Sequence, residues 1–466
     1  MRQIPFRPLL LASAIGLAAM PAFAQNGERL TTRINADIRS TEPGVNRDGN
    51  TDILMMQIVE GLVAHGEDTS IVPMLAEDIA VSPDGTEYTF TLREGVRFHN
   101  GEELTSQDVA LVWERYLDPQ TGWRCLSEFD GRGTAHVTAV ETPDPRTVVF
   151  RLESPAALFL TQMARVDCGQ SGIWHSDSLD GNGNWDRPVA TGPYMLGEWR
   201  QGEYIDLVRF DDYSALEGGA DGLAGNKSGG PAQIRVMIVP DDSATLAAAR
   251  TGAIDLVAGV DRRGLGDVTG QPGFKLVSAS TLQSNGFLIQ SDDPVLQDVR
   301  IRRALAHSLD LEGIAEAVGG DGVAYNPSVI PLASGYHGAV QAEGYAYDPE
   351  RAQALLAEAG YNGEPIVILT NTAYVSMNEM AVLAQAMAAE AGLNVTFEVV
   401  EWGTQLDRYL KGSYSAMAIG FSARFDAGLS FQMFTGSTEA DSRYVWNTPE
   451  ATRLVERSLS TLDAEE

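Results

Sequence analysis

The pattern of hydrophobic residues divides the chain into two parts. The first predicts mainly β-strands, and the second predicts helices and strands in alternation. Residues 88–92 alternate apolar and polar side chains, as half-buried strands do. Two strand-like runs, residues 194–199 and 204–210, flank Gln201-Gly202 and predict a β-hairpin. Apolar residues near helical spacing predict an amphipathic helix over residues 53–62, and an apolar run predicts a strand over 254–257.

Beyond residue 280 the pattern is regular α/β. Helix starts are expected after Asp298 and Asp348 and at a capping box formed by Ser376 and Glu379. Strands at 366–370, 395–399 and 416–421 alternate with these helices and with one at 404–411, which argues for a largely parallel sheet covered by helices. Ligands bind beyond the carboxyl ends of such strands, which here are residues 371–374, 401–402 and 422–426.

Composition indicates a multidomain globular protein. The 466 residues are 44% hydrophobic and 21% charged, and the chain is too long for one small core, so we expect two or three domains. The formal net charge is −31 and only three residues are lysine. A basic face for phosphate backbones is therefore not expected, which argues against nucleic acid as a partner.

The amino terminus has the pattern of a secretory signal. Arg2 and Arg7 precede an apolar run at residues 9–20, and Ala22-Phe23-Ala24 matches the small-x-small cleavage pattern. Residues 1–24 are thus predicted to be removed. Because no cysteine lies near the cleavage site, we expect a protein released into the periplasm without a lipid anchor.

The chain has two cysteines, Cys125 and Cys168, and an oxidising compartment favours a disulfide between them over two buried thiols. Residues 180–186 resemble a calcium loop but lack its sixth-position glycine and distal glutamate, so a plain turn is preferred. The six histidines are scattered and none has zinc spacing, and no nucleophile elbow occurs. His99 is interpreted as a structural turn residue. We expect no catalytic residues, metal or cofactor.

Two motifs resemble a known family. Residues 92–101, Leu-Arg-Glu-Gly-Val-Arg-Phe-His-Asn-Gly, precede a helix start at 105–109, and Thr191-Gly-Pro-Tyr194 leads into the predicted hairpin. Both are similar to segments of extracellular solute-binding proteins of family 5, the peptide/nickel class, although Ala190 replaces a glycine. The resemblance extends from about residue 53 to the end of the chain.

This resemblance implies an α/β fold, the class II periplasmic binding protein fold, with two lobes around a hinge and an extra inserted domain. The implied division is a first lobe at 25–50 and 187–281, an inserted domain at 51–186 and a second lobe at 282–466. Family members continue beyond the helix near residue 454 and return to the first lobe. This sequence ends without that segment, so we expect part of the first lobe's packing to be absent.

The resemblance also implies ligand contacts on both lobes. On the first, Asn46, Arg47 and Asp48 fall where dipeptide-binding members touch ligand, the alternative being a solvated polar loop. On the second, the strand-end candidates are Asn371, Tyr374, Trp402, Arg424 and Asp426.

Two of these positions depart from the dipeptide binders. In those proteins the position of Arg424 is acidic and holds an ammonium group, and an arginine near Asn371 holds the carboxylate. Arg424 instead suits an anion through bidentate hydrogen bonds. Asp426 could meet an amine, or could form a local ion pair with Arg424.

The expected function is capture of peptides or peptide-like small solutes, such as opines, for an inner-membrane ABC permease, by a monomer that is not an enzyme. An oligosaccharide-binding importer subunit that uses tryptophan stacking is one alternative. A secreted hydrolase is the alternative from another class.

Overall fold

The computed structural model describes residues 29–258, 272–277, 281–320, 323–372, 374–421, 425–439 and 441–461. The predicted secretory signal, residues 1–24, and the predicted anion anchor Arg424 lie outside the described residues.

The secondary structure of the described residues alternates between short strands and helices. Its strands are β1 (Arg29–Ile34), β2 (Val63–His65), β3 (Ile71–Pro73), β4 (Ala76–Val81), β5 (Glu87–Leu92), β6 (Val137–Asp144), β7 (Thr147–Leu152), β8 (Tyr194–Arg200), β9 (Tyr204–Arg209), β10 (Ala220–Asp221), β11 (Ala224–Gly225), β12 (Gln233–Ile238), β13 (Ser284–Ile289), β14 (Ile366–Thr370), β15 (Val395–Val399) and β16 (Ala416–Phe421). Its α-helices are α1 (Gly49–Met55), α2 (Ser106–Leu117), α3 (Leu126–Phe129), α4 (Phe159–Met163), α5 (Asp242–Arg250), α6 (Val299–Ser308), α7 (Leu311–Gly319), α8 (Pro349–Ala359), α9 (Val375–Glu390), α10 (Trp402–Leu410), α11 (Ala427–Gln432) and α12 (Pro449–Ser460).

Three four-stranded sheets organise these elements. The first has the order β1-β12-β9-β8, and its β8–β9 pair confirms the predicted hairpin. The second, β4-β5-β7-β6, is antiparallel throughout. The third has the order β13-β16-β14-β15. In it β14 runs parallel to β15 and β16, as predicted, whereas β13 joins β16 antiparallel.

Separate hydrophobic cores define two lobes. One core spans the first two sheets and centres on Trp113, whose ring packs edge-on against Phe129 and Phe150 at 5.1 and 4.9 Å between centroids. We call residues 29–258 the N-terminal body. The third sheet carries its own cores on both faces, and we call residues 282–461 the second lobe. Because one core spans both the first and the second sheet, the predicted division of the N-terminal body at residues 51 and 187 stays a prediction.

The helix predicted over residues 53–62 is wrong beyond Met55, and the observed helix begins earlier, at Gly49. Helix α1 ends at Met55. The carbonyl of Ile58 accepts a hydrogen bond from the Gly192 N–H, and that of Glu60 accepts one from the Ile173 N–H, each at 2.9 Å. These carbonyls bond to distant N–H groups and not to N–H groups four residues further along a helix, so tertiary pairing overrides the helical spacing.

Three other local predictions are corrected or refined. Helix α9 begins at Val375 and has no side-chain cap at its N-cap residue Tyr374, whose own N–H donates to Asn371 Oδ1, so the predicted capping box at Ser376 does not start the helix. The predicted strand at 254–257 is a single bridge between Thr32 and Leu256. Residues 180–186, which resemble a calcium loop, are held by local hydrogen bonds, because Asp180 Oδ1 accepts from the N–H groups of Asn182 and Asn184.

A disulfide joins Cys125, just before α3, to Cys168 in a short 3-10 helix, Val166–Ser171. Both cysteines are fully buried in the core of the N-terminal body. As for membranes, none of the helices within the described residues combines the length and apolar composition needed for a transmembrane span.

Candidate functional site

The N-terminal body and the second lobe meet through a pair of stacked rings. His65 ends β2, and Phe425 lies between β16 and α11. Their ring centroids are 3.7 Å apart and their planes differ by 7°. Phe425 follows the carboxyl end of β16, so the two lobes touch at the edge where the parallel strands of the third sheet end.

The His65 ring is held neutral at this contact. Its Nδ1 lies 3.0 Å from the Thr69 carbonyl oxygen, so the proton belongs on Nδ1. Its Nε2 is buried and has no hydrogen-bond partner within the described part of the chain. Burial lowers the pKa of His65, because a charged ring would be poorly solvated there. A neutral imidazole can lie flat on the Phe425 ring without a desolvated charge.

A carboxylate and a phenol lie close to this stack. Asp426 Oδ1 accepts a hydrogen bond of 3.2 Å from the Leu429 N–H and so caps α11. Burial raises the pKa of Asp426. Tyr336 is 56% exposed, and its pKa is raised by burial and then by the negative charge of Asp426. This corner offers an acceptor and a hydroxyl to a bound molecule.

The side chain of Asn371, one of the predicted ligand contacts, is fully buried. Its Nδ2 donates to Gln405 Oε1 at 2.8 Å, and its Oδ1 accepts from the Tyr374 N–H at 2.8 Å. Gln405 in turn donates to the Ala418 carbonyl oxygen. Asn371 therefore ties the end of β14 to α10 and β16, and its amide is not free for a ligand.

Tyr374 and Trp402 form an aromatic surface at the ends of β14 and β15. Their rings meet edge-on with centroids 4.9 Å apart, and Tyr374 is 47% exposed. Trp402 opens α10, where the Glu401 carboxylate accepts from the Thr404 N–H and fixes the start of the helix. The pair presents ring area suited to the apolar face of a bound solute.

The three candidates in the N-terminal body have intramolecular partners. Arg47 Nε donates to Asp52 at 2.8 Å, and Asp48 caps α1 by accepting from the Thr51 N–H. Asn46 adopts a left-handed backbone, with φ of 44°, and bonds to the Arg39 carbonyl. In the part of the chain that the structure describes, the side-chain hydrogen bonds of these three residues stay within residues 39–52.

A cavity of about 660 Å³ lies elsewhere in the second lobe. Its lining includes residues 290–294, which follow β13, and residues 412–415, which precede β16. Because β13 and β16 are antiparallel, these segments share the edge opposite to Phe425. The cavity is therefore separate from the contact between the lobes.

Several residues at the contact were not predicted from the sequence. They are His65, Phe425 and, beside Asp426, Tyr336, and only His65 had a possible signal, as one of six histidines and placed in an apolar run. Nothing in local spacing links residue 65 to residue 425, because their stacking depends on how the two lobes approach.

Comparison with known proteins identifies the class. The family model described as bacterial extracellular solute-binding proteins, family 5 Middle, matches residues 70–442. The chain belongs to this family, as the motifs at 92–101 and 191–194 predicted.

Individual relatives are moderately similar. A putative ABC transporter peptide-binding protein of Brucella ovis is 29% identical over 72% of this chain, and the chain spans 61% of that relative's length. The dipeptide-binding protein of Escherichia coli is 27% identical over 81% of this chain and 72% of its own. The crystal structure of the ABC transporter substrate-binding protein CtaP from Listeria monocytogenes has a TM-score of 0.81 at 21% identity, covering 94% of this chain and 88% of that one. The last match confirms the predicted two-lobe α/β fold.

Proposed function

We propose that this protein is the periplasmic binding component of an ABC importer and captures peptides or peptide-like small solutes. Membership of the solute-binding family over residues 70–442 is the observation that carries the proposal. The names of the relatives, one a putative ABC transporter peptide-binding protein and one a dipeptide-binding protein, support it. Its proposed partner is a permease complex of the inner membrane.

The proposed ligand lies between the lobes, beside the His65–Phe425 stack. Tyr374 and Trp402 would cover its apolar part, and Asp426 would accept hydrogen bonds from it. Arg424, two residues before Asp426, is proposed to hold an anionic group. A ligand held from both sides favours the closed arrangement of the lobes through the contacts it adds there.

A thermal-shift screen tests the function. Peptides, opines, oligosaccharides and metal chelates are offered separately, and a true ligand raises the melting temperature by mass action. Stabilisation by peptides or opines is expected. Stabilisation by oligosaccharides alone would favour the sugar-binding alternative, and turnover of a bound compound would contradict a pure binding role.

Trp402→Ala is expected to weaken binding of the ligand found in this screen by roughly tenfold, because a stacked aromatic contact contributes about 1 kcal/mol beyond its buried area. Calorimetric titration measures the change. Leu410→Ala is the matched control, since Leu410 ends the same helix and is 48% exposed. Equal affinities of the two variants would remove Trp402 from the site.

Arg424→Ala is expected to weaken binding by roughly 30-fold, about 2 kcal/mol, because an anionic group loses a charge-assisted hydrogen bond. Arg424→Lys should restore only part of this, since an ammonium cannot reproduce the planar fork of a guanidinium. The competing account is a structural ion pair with Asp426. In that case Arg424→Ala lowers stability and leaves affinity unchanged, and Asp426→Asn does the same.

A further inference from the structure

Lys227 differs from the other two lysines of the chain. Lys411 pairs with Asp407 at 2.7 Å, and Lys275 is exposed. Lys227 is partly buried in the N-terminal body, in the glycine-rich segment between β11 and β12. Burial lowers the pKa of its ammonium, and the charge of Glu60 opposes this effect. A cation in this position needs a compensating group.

Glu60 does not provide that group by direct contact. Its carboxylate is 1% exposed, and its oxygens accept hydrogen bonds from Tyr213 Oη at 2.7 Å and Thr191 Oγ1 at 3.1 Å. Over the described residues, Lys227 forms neither a hydrogen bond nor an ion pair within 4.0 Å. Its ammonium thus lies within the electrostatic reach of Glu60 but is not paired with it.

Lys227 lines a cavity of about 230 Å³. Ser228, Gly229 and Gly230 line the same cavity. Within the described residues, the N–H groups of Gly229 and Gly230 form no backbone hydrogen bond. Gly230 has no room for a side chain, since a Cβ there would lie 2.2 Å from Tyr194 Oη. At Gly229 and Gly230 the backbone therefore borders the cavity with no side chain in between.

The other charged groups of the cavity are already paired. Arg209 Nε donates to Asp211 at 2.9 Å, and its Nη1 donates to the Gly230 carbonyl. Among the groups of this cavity, the charge of Lys227 and the N–H groups of Gly229 and Gly230 are left without a partner within the described residues. Successive N–H groups beside a cation form an anion-binding concavity.

We propose that Lys227 and the Ser228–Gly230 segment form a small-anion site, for a carboxylate or a phosphate, separate from the contact between the lobes. The volume is below the range of about 300–1,000 Å³ typical of sites for drug-sized ligands, so the occupant is a small ion or the end of a larger molecule. This proposal does not rest on the proposed transport function.

Nuclear magnetic resonance tests the site without altering it. Protein labelled with 15N-lysine has three backbone amide signals, and Lys275→Met and Lys411→Met each remove one, which leaves the signal of Lys227. Sodium phosphate and sodium acetate are titrated in parallel, against sodium chloride at equal ionic strength. The Lys227 signal is expected to move saturably with one or both test anions, and the arm that moves it identifies the class. A signal that stays in place, or follows chloride equally, overturns the site.

Thermal unfolding gives a second measurement. At 50 mM, an anion with a dissociation constant of about 1 mM should raise the melting temperature by about 2.5 °C over chloride. Lys227→Met should abolish this rise. Lys411→Met removes the same charge from the second lobe and should keep it. A rise of the same size in Lys227→Met would contradict the proposal.

Discussion

Replacing both cysteines, Cys125→Ala with Cys168→Ala, is expected to lower the free energy of unfolding by about 4 kcal/mol. The two residues are 43 positions apart, and the crosslink removes the loop-closure entropy of that segment from the unfolded chain. Both side chains are fully buried, so the loss of sulfur contacts acts in the same direction. Urea unfolding at constant pH measures the difference.

The wild-type protein itself provides the control for this double variant. Mass spectrometry of non-reduced digests should show the peptides of Cys125 and Cys168 joined. Reduced wild type, which keeps both sulfurs, should lose most of the same stability. Two free thiols in protein prepared from the periplasm, or a loss below about 1 kcal/mol in the double variant, would contradict the structural importance of the bond.

Acidification from pH 7 to pH 4 is expected to cost about 3 kcal/mol of stability through His99 alone. Its Nδ1 accepts from the Ala190 N–H at 3.2 Å, and its Nε2 lies 3.0 Å from the Gly192 carbonyl oxygen and donates to it. Protonation of Nδ1 would replace this acceptor with a second donor facing an N–H group. Burial lowers the pKa of His99 to about 4.

The direction follows from proton binding. The unfolded state takes up the His99 proton below its ordinary pKa of 6.5, whereas the folded state resists it until about pH 4. The stabilisation is therefore complete above pH 6.5 and is lost as the pH falls towards 4. A pKa difference between 6.5 and about 4 corresponds to about 3 kcal/mol.

His99→Gln separates this effect from the titration of the carboxylates. Urea unfolding of wild type and variant at pH 7.5 and pH 4.5 should show a smaller acid loss in the variant, because glutamine does not titrate. His136→Gln is the control, since His136 is an exposed histidine that pairs with Glu153. Equal acid losses in His99→Gln and wild type would show that His99 takes up its proton over the same pH range in the folded and unfolded states.

The candidate site was predicted from the sequence only as a location. The ends of β14, β15 and β16 follow from the α/β pattern, and Tyr374, Trp402 and Asp426 do lie there. Asn371 lies at the same edge, but its side chain points into the lobe. Its Nδ2 donates to Gln405 there, and its Oδ1 accepts from the N–H of Tyr374, just before α9. Sequence position places a residue at a strand end but does not decide which way its side chain faces.

The sequence by itself determined the elements whose stability is local. Asp348 and Pro349 begin α8, and Gly360 ends it with φ of 70°, because caps and left-handed residues act within one turn of the helix. Only the tertiary structure decided that the helix ends at Met55, beyond which the carbonyls of Ile58 and Glu60 accept long-range hydrogen bonds, and that His65 stacks on Phe425. Those outcomes depend on groups far apart in the chain, and burial of two whole cores, not local spacing, brings such groups together.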